Sequence, residues 1–284
     1  MRTAFFVSVG VVSLTLVVYC ASAISSMESF QITAVSVEGV ETDGEADALR
    51  ASALESLHGA YLGIFSRANT LVYPKRTIAA RISEEYPWVA AVSMSREGAH
   101  TIKLAVTEKK PSALVCLTLP DFNGNDLSLE DPGRCYFADE TGYIFRKAPS
   151  FSGNVYRRYY MPDLGAGASS TDAIVGAVAT SSISFEALEK FYLSISDQGI
   201  IADAILVKPE GEYELYARNI AVDAMPASTV VVYFNDSSPL DEQATNFVSF
   251  WRHTTDQARA KKQSVRYDSI DIRYGSNVFY RESK

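Results

Sequence analysis

Two cysteines have the side-chain type and the spacing to react with each other and form a disulfide. Cys116 and Cys135 lie in two apolar runs joined by a loop that contains two prolines and two glycines. The runs predict paired strands, which would bring the thiols close enough for a disulfide. Closing a loop of this size would stabilise the fold by about 3 kcal/mol in the chain-entropy model. The alternative is two buried, reduced cysteines that pack as small hydrophobes.

Other reactive residues form no recognisable catalytic or metal-binding set. The chain has three scattered histidines: His58, His100 and His253. Their positions provide no zinc-ligand spacing and no base for a serine triad, and the sequence has neither a phosphate loop nor a nucleophile elbow. Asp139 sits in a turn, so its carboxylate is expected to bond local backbone amides. Glu212 and Glu214 alternate with apolar residues on a strand, so their carboxylates are expected to face water. The sequence thus predicts no enzyme, cofactor, metal or small-molecule substrate.

The charge balance argues against nucleic-acid binding. Among 284 residues, 26 Lys and Arg stand against 34 Asp and Glu, which gives a formal net charge of -8. Contacts with phosphates need a basic face, and the sequence has no Lys/Arg-rich run. The length and the 47% hydrophobic content are sufficient for two globular domains.

An apolar run occupies the N-terminus. Residues 4–24 carry no charge, and a helix rising about 1.5 Å per residue over this run would span a hydrocarbon core of about 30 Å. Arg2 precedes the run and Glu28 is the first charge after it, which predicts a cytoplasmic tail at residues 1–3 and an exported C-terminal bulk. We therefore expect a single transmembrane anchor. The alternative is a cleavable signal peptide ending at Ala21-Ser22-Ala23.

Residues 30–110 have the pattern of a small domain with the element order β-α-α-β-β. Alternation predicts the first strand around Val35, and helical spacing predicts a helix over residues 45–57 after a turn at Asp43-Gly44. A second helix opens at Pro74 and stops at Pro87. Two alternating strands complete the unit, over residues 88–94 and 101–108.

The pattern of apolar residues over 111–284 predicts a mostly antiparallel β domain with flanking helices. Further strands are expected at residues 200–207, 213–217, 229–234 and 267–280, and helices begin at Ser184 and Pro239. Residues 166–182 are rich in Ala, Gly, Ser and Thr, which indicates a flexible surface insertion. The predicted fold class is therefore α+β: an N-terminal transmembrane helix, the β-α-α-β-β domain and the β domain.

Several motifs, in this order, carry a resemblance that covers residues 30–281. They are Val35-Ser36-Val37-Glu38-Gly39-Val40, Tyr86-Pro87-Trp88-Val89, Glu108-Lys109-Lys110-Pro111-Ser112-Ala113, the Asp139–Gly142–Phe145 turn, Met161-Pro162-Asp163-Leu164-Gly165, and Tyr267-Asp268-Ser269-Ile270-Asp271-Ile272-Arg273-Tyr274 with the turn after it. Residues 30–110 resemble a POTRA domain, and the whole set is similar to the FtsQ/DivIB family of cell-division proteins. Residues 111–284 would then be the FtsQ-type β domain.

The resemblance implies a bitopic division scaffold in the cell inner (cytoplasmic) membrane at the septum. Such a protein would bind FtsB/DivIC-like and FtsL-like partners outside the cytoplasm and help to regulate septal peptidoglycan synthesis. The three-residue tail and Asn277, which stands where an arginine is common in the family, depart from the family pattern.

The resemblance also implies a partner site in the last strands of the β domain. Transferred by motif, the site residues are Ile272, Arg273, Tyr274, Gly275 and Phe279, and the partner would add a strand to the sheet. The alternative is a terminal strand that its charges and bulge protect against pairing. A second function from another class is a POTRA-containing exported protein that handles unfolded polypeptides in envelope assembly.

Overall fold

A computed structural model describes most of the chain. The described residues are 2–118, 121–123, 126–128, 135–149, 155–165, 174–179, 181, 183–218, 229–262 and 266–283. The chain divides into two compact units, Met1–Lys109 and Lys110–Lys284. The predicted insertion at residues 166–182 lies largely outside the described residues.

The first unit combines a three-stranded sheet with helices. Its elements are α1 (Arg2–Ser25), β1 (Ala34–Glu38), α2 (Asp43–Ser56), β2 (Ala60–Tyr61), β3 (Phe65–Ser66), α3 (Lys75–Glu85), β4 (Val89–Arg96) and β5 (Thr101–Glu108). The sheet order is β1-β5-β4, with β1 parallel and β4 antiparallel to β5. Helix α2 packs against β1, and α3 packs against β4. Leu49, Ile78, Ile82, Ile102 and Leu104 are fully buried, so both helices and the sheet supply the core.

Helix α2 begins two residues earlier than its apolar spacing predicts. The predicted turn at Asp43-Gly44 is instead the first turn of the helix. Thr42 occupies the N-cap position, and its hydroxyl donates to the Glu45 carboxylate over 2.7 Å. Asp43 and Glu45 place negative charge at the positive end of the helix dipole, which favours the earlier start.

The predicted transmembrane anchor is wrong. Among the described residues, no helix is both long enough and apolar enough to cross a membrane. A span needs about 20 consecutive, predominantly apolar residues. The prediction rested on the length, the apolar residues and the lack of charge of residues 4–24. The correction removes the single-pass anchor from the fold class and the bitopic, single-pass inner-membrane location.

The second unit is built around one large sheet. Its elements are β6 (Ala113–Cys116), β7 (Asp121–Asn123), β8 (Asp126–Ser128), β9 (Cys135–Ala138), β10 (Ile144–Lys147), β11 (Arg157–Tyr160), α4 (Phe185–Ser196), β12 (Ala202–Val207), β13 (Glu212–Arg218), β14 (Thr229–Asn235), α5 (Leu240–Lys261), β15 (Tyr267–Tyr274) and β16 (Asn277–Glu282). Nine strands follow the order β10-β9-β6-β11-β12-β13-β14-β15-β16, and β7 and β8 pair separately. The pairs β6–β11, β11–β12 and β14–β15 are parallel, and the other neighbours in the large sheet are antiparallel.

Alternation along these strands divides the second unit into two apolar layers. The larger layer joins α4 and α5 to one side of the sheet and includes Phe191, Leu215, Phe234, Phe247 and Trp251. A second buried cluster includes residues of opposite parity on the same strands, among them Leu114, Tyr160, Leu206 and Tyr216. Because both sets are buried, the central strands are apolar on both faces.

The two cysteines lie directly opposite each other in this second cluster. Cys116 on β6 pairs with Cys135 on β9 in the antiparallel register, and their Cα atoms are 4.1 Å apart. The two residues form a disulfide, and both are buried. Cys20 is a free, exposed cysteine.

Candidate functional site: the open edge strand

The two edge strands of the nine-stranded sheet differ in the hydrogen bonds that their outward-facing backbone groups make. At β10, the Ile144 amide donates to the Ala177 carbonyl over 2.8 Å, and the Gly176 amide donates to the Ile144 carbonyl over 2.7 Å. The segment 176–179 therefore pairs with the start of that edge strand. At the other end, β16 pairs with β15 alone within the described residues. An edge strand of this kind presents amides and carbonyls that another chain can pair with.

The structure separates the five predicted site residues. Ile272, Arg273 and Tyr274 lie on β15, which sits between β14 and β16, and Gly275 lies in the turn that follows. Ile272 is fully buried in the helix-side core. Phe279 is the member of the set on the edge strand itself, and it is 57% exposed. The backbone available for strand addition is therefore that of β16.

A tight turn sets the position of the edge strand. Tyr274 and Asn277 face each other across the pair, so Gly275 and Ser276 form the loop. Gly275 has a φ of +60°, the region that a type II′ hairpin requires at its first loop position. The Asn246 side chain on α5 donates from Nδ2 to the Gly275 carbonyl over 2.8 Å, which ties the turn to the helix.

Aromatic side chains accompany the edge strand. The ring of Phe279 meets the ring of Tyr274 edge-on, with centroids 5.5 Å apart. The next residue, Tyr280, instead contacts Phe250 of α5 at 5.2 Å and Tyr267 of β15 at 5.4 Å. Successive residues of a strand point to opposite faces, so β16 carries an exposed aromatic on each face.

Arg273 anchors the strand next to the edge. Its guanidinium donates to the two Asp271 carboxylate oxygens over 2.9 and 2.6 Å, and to Glu212 on β13 over 2.8 Å. It also lies over the Tyr233 ring, 5.5 Å from the centroid. The hydrogen bond to Asp271, together with the two carboxylate charges, raises the pKa of Arg273. Arg273 is therefore a structural clamp in this structure.

A polar cavity borders the edge strand at its C-terminal half. Its volume is about 640 Å³, and residues from α5, β15 and β16 line it. The charged lining residues are Lys261, Lys262, Arg266 and Glu282. Three of these four charges are positive, so the cavity suits an acidic or hydrogen-bond-accepting group of a bound segment.

Most of the residues around this edge carry no local sequence signal that would identify them. Glu212 and Tyr233 come from strands distant in sequence, and no local pattern marks them as neighbours of Arg273. Asn246 and Phe250 carry a usable signal, because residues four apart on a helix lie on one face. That face of α5 contacts the turn and Tyr280.

The described residues hold no group of three or more His, Cys, Asp and Glu side chains that could bind a metal ion. The absence of an enzymatic activity nevertheless remains a prediction from the sequence. In comparisons with protein-family models and with curated proteins, nothing matches this chain. The FtsQ/DivIB resemblance therefore rests on the sequence motifs alone.

Proposed function

We propose that this chain is a cell-division scaffold of the FtsQ/DivIB type. In this proposal it binds FtsB/DivIC-like and FtsL-like partners by adding a partner strand to β16, and it helps to regulate septal peptidoglycan synthesis. The ordered motifs of residues 30–281 suggest the family. The observation that supports strand addition is that β16 pairs with β15 alone within the described residues, whereas the start of the opposite edge strand, β10, is paired with the segment 176–179.

Strand addition fits the chemistry at this edge. Main-chain hydrogen bonds would provide affinity, and side chains on alternate positions of the partner would provide specificity. On one face the partner would meet Phe279 and Tyr274, and on the other it would meet Tyr280 beside Phe250. Exposed aromatic residues are favoured as anchors in protein interfaces. We therefore expect an extended partner segment with apolar residues on both faces.

The residues transferred from the resemblance have three different roles in this proposal. Phe279 would contact the partner directly, because it lies on the edge strand. Arg273 and Gly275 would position the edge strand, through the clamp to Asp271 and the tight turn. Ile272 would act only through the core, because it is fully buried.

Removal of the edge strand tests the proposal. A chain truncated after Ser276 lacks β16, and we expect it to lose binding to FtsB/DivIC-like partners in a pull-down. A fluorescent fusion of the intact chain should collect at the division site, whereas the truncated chain should not. Unchanged partner binding after truncation would contradict strand addition at β16. A diffuse intact fusion would contradict the division role and favour the handling of unfolded polypeptides.

A further inference from the structure

The first unit displays apolar side chains on two neighbouring turns. The turn of the β2–β3 hairpin carries Leu62, which is 91% exposed, between the exposed Tyr61 and Ile64. The following turn carries Leu71 and Val72, which are both more than half exposed. We call these five residues the apolar turn patch. Clustered apolar exposure of this kind marks an interaction surface.

Hydrogen bonds hold both turns around the end of α1. Ser25, at the last position of that helix, accepts from the Ser66 amide and from the Asn69 side chain, each over 3.1 Å. The Ser22 hydroxyl donates to the Ile64 carbonyl over 2.7 Å. The hairpin and the next turn are therefore fixed to one point of the unit.

The conformation of Leu62 is unfavourable for its residue type. Its φ is +52°, in the left-handed region that glycine and asparagine adopt more readily than leucine. A leucine that is also almost fully exposed contributes little to the core of this unit. A cost in backbone conformation without burial suggests that the side chain has a partner outside the chain.

The segment that carries the patch has a positive net charge, although the chain as a whole is acidic. No Asp or Glu lies between Glu55 and Glu84, and this interval contains Arg67, Lys75, Arg76 and Arg81. Arg81 pairs with Glu55 and Glu85. Within the described residues, Lys75 and Arg76 are exposed and form no ion pair, and the Lys75 ammonium lies 5.1 Å from the centroid of the Tyr73 ring. The apolar turn patch is therefore accompanied by cations that are available to an anionic surface.

We propose that the apolar turn patch docks on the surface of a lipid bilayer with anionic headgroups. Leu62, Leu71 and Val72 would enter the boundary between headgroups and acyl chains, and Lys75 and Arg76 would contact phosphates. The patch projects from turns, which fits insertion into a soft surface. This contact lies in the interface, does not involve a spanning segment, and goes beyond the proposed division role.

Vesicle co-sedimentation of the full chain tests the proposal. The probes are vesicles of phosphatidylcholine alone and vesicles that also contain phosphatidylglycerol. Leu62→Asn removes the apolar side chain while asparagine tolerates the positive φ, and we expect it to weaken binding about tenfold. Lys75→Gln with Arg76→Gln should weaken binding to the anionic vesicles about 25-fold, because each cation near such a surface contributes about fivefold.

Ile201→Asn is the matched control, because Ile201 is an exposed apolar residue of the second unit. It should leave vesicle binding unchanged, and all variants should keep the circular dichroism spectrum of the parent chain. Equal binding of Leu62→Asn and the parent would overturn the proposal and leave a protein as the occupant of the patch. Binding that does not depend on phosphatidylglycerol would also overturn it.

Discussion

Arg273 reaches across a whole strand to bind Glu212. Arg273 lies on β15 and Glu212 on β13, and the guanidinium passes over the Tyr233 ring of the intervening β14 to reach the carboxylate at 2.8 Å. The same guanidinium holds Asp271 of its own strand through two hydrogen bonds. One side chain therefore fixes three neighbouring strands beside the open edge.

Arg273→Lys should destabilise the second unit although it keeps the charge. Lysine cannot reproduce the planar fork that bonds Asp271 and Glu212 together, so we expect the free energy of unfolding to fall by about 1 kcal/mol. Urea denaturation followed by circular dichroism measures the change. The matched control is Arg281→Lys, because Arg281 is exposed and its contact with Asp268 is long, 3.5 Å. A loss in the control equal to that of Arg273→Lys would refute a special role for the clamp.

The two carboxylates that bind Arg273 should contribute unequally to the free energy of unfolding. The side chain of Asp271 is 20% exposed and accepts two hydrogen bonds from the Arg273 guanidinium, whereas that of Glu212 is 47% exposed and accepts one. Solvent screening weakens exposed pairs, so a double-mutant cycle should give less than about 1 kcal/mol for Arg273 with Glu212. The coupling of Arg273 with Asp271 should be larger. The reverse order would contradict the argument from exposure.

Phe279→Lys should separate partner binding from stability. Phe279 is exposed on the edge strand, so its replacement should change the free energy of unfolding by less than about 0.5 kcal/mol. If it anchors an added strand, affinity for an FtsB/DivIC-like segment should fall at least about tenfold, as expected for a central aromatic of an interface. Calorimetric titration provides the affinity. Val155→Lys, at another exposed apolar position, should have no effect on binding.

Local sequence patterns predicted where the helices and strands lie better than they predicted which strands are neighbours in the sheet. The alternation over residues 101–108 matches β5, and α3 begins at Lys75, one residue after its predicted start at Pro74. Alternation shows which residues share a face, but it does not show whether a strand lies at an edge. The transfer by motif placed Ile272 and Phe279 in one site, although they lie on an internal and an edge strand respectively.

The remaining differences have physical causes that a single sequence hides. Glu212 is 61 residues from Arg273 in the chain, and only the sheet order brings the two together. Leu62 gave no turn signal, because leucine rarely adopts a positive φ.

Gly39→Ala should destabilise the first unit strongly. Gly39 has a φ of +84°, and an added Cβ would lie 2.1 Å from the Val106 carbonyl oxygen. Strain and the backbone clash together should lower the free energy of unfolding by at least about 2 kcal/mol. Gly44→Ala is the control, because Gly44 lies in α2 with no atom within 4 Å of a new Cβ. The control should not lose stability, and a loss equal to that of Gly39→Ala would contradict the steric account.

Removal of the disulfide should destabilise the second unit. Cys116 and Cys135 are 19 residues apart, and a loop of this length corresponds to about 3 kcal/mol in the chain-entropy model. The double variant Cys116→Ala with Cys135→Ala should show this loss in urea denaturation and should not respond to reductant. Cys20→Ser is the control, since Cys20 is free and exposed. A parent chain that keeps its midpoint after complete reduction would contradict the prediction.

The free energy of unfolding should fall in alkaline solution, because tyrosines that are buried in the folded chain ionise more readily in the unfolded chain. Burial and the neighbouring Glu189 raise the pKa of Tyr159 well above its ordinary value of 10.0. Above pH 10 the unfolded chain loses this proton while the folded chain retains it, so the free energy of unfolding decreases as pH rises. The raised pKa values of Tyr192 and Tyr267, which are due mainly to burial, act in the same direction.

Tyr159→Phe isolates the contribution of one ring to this alkaline loss. The variant should lose about 1 kcal/mol at neutral pH, because the Tyr159 hydroxyl donates to Glu189 over 2.5 Å. Its stability should then decline less steeply than that of the parent between pH 9 and pH 11, close to the ordinary tyrosine pKa of about 10. Urea midpoints across this range measure both effects. Tyr61→Phe, at an exposed ring of the first unit, should leave the parent slope unchanged. Equal alkaline slopes for Tyr159→Phe and the parent chain would show that this proton is not linked to folding.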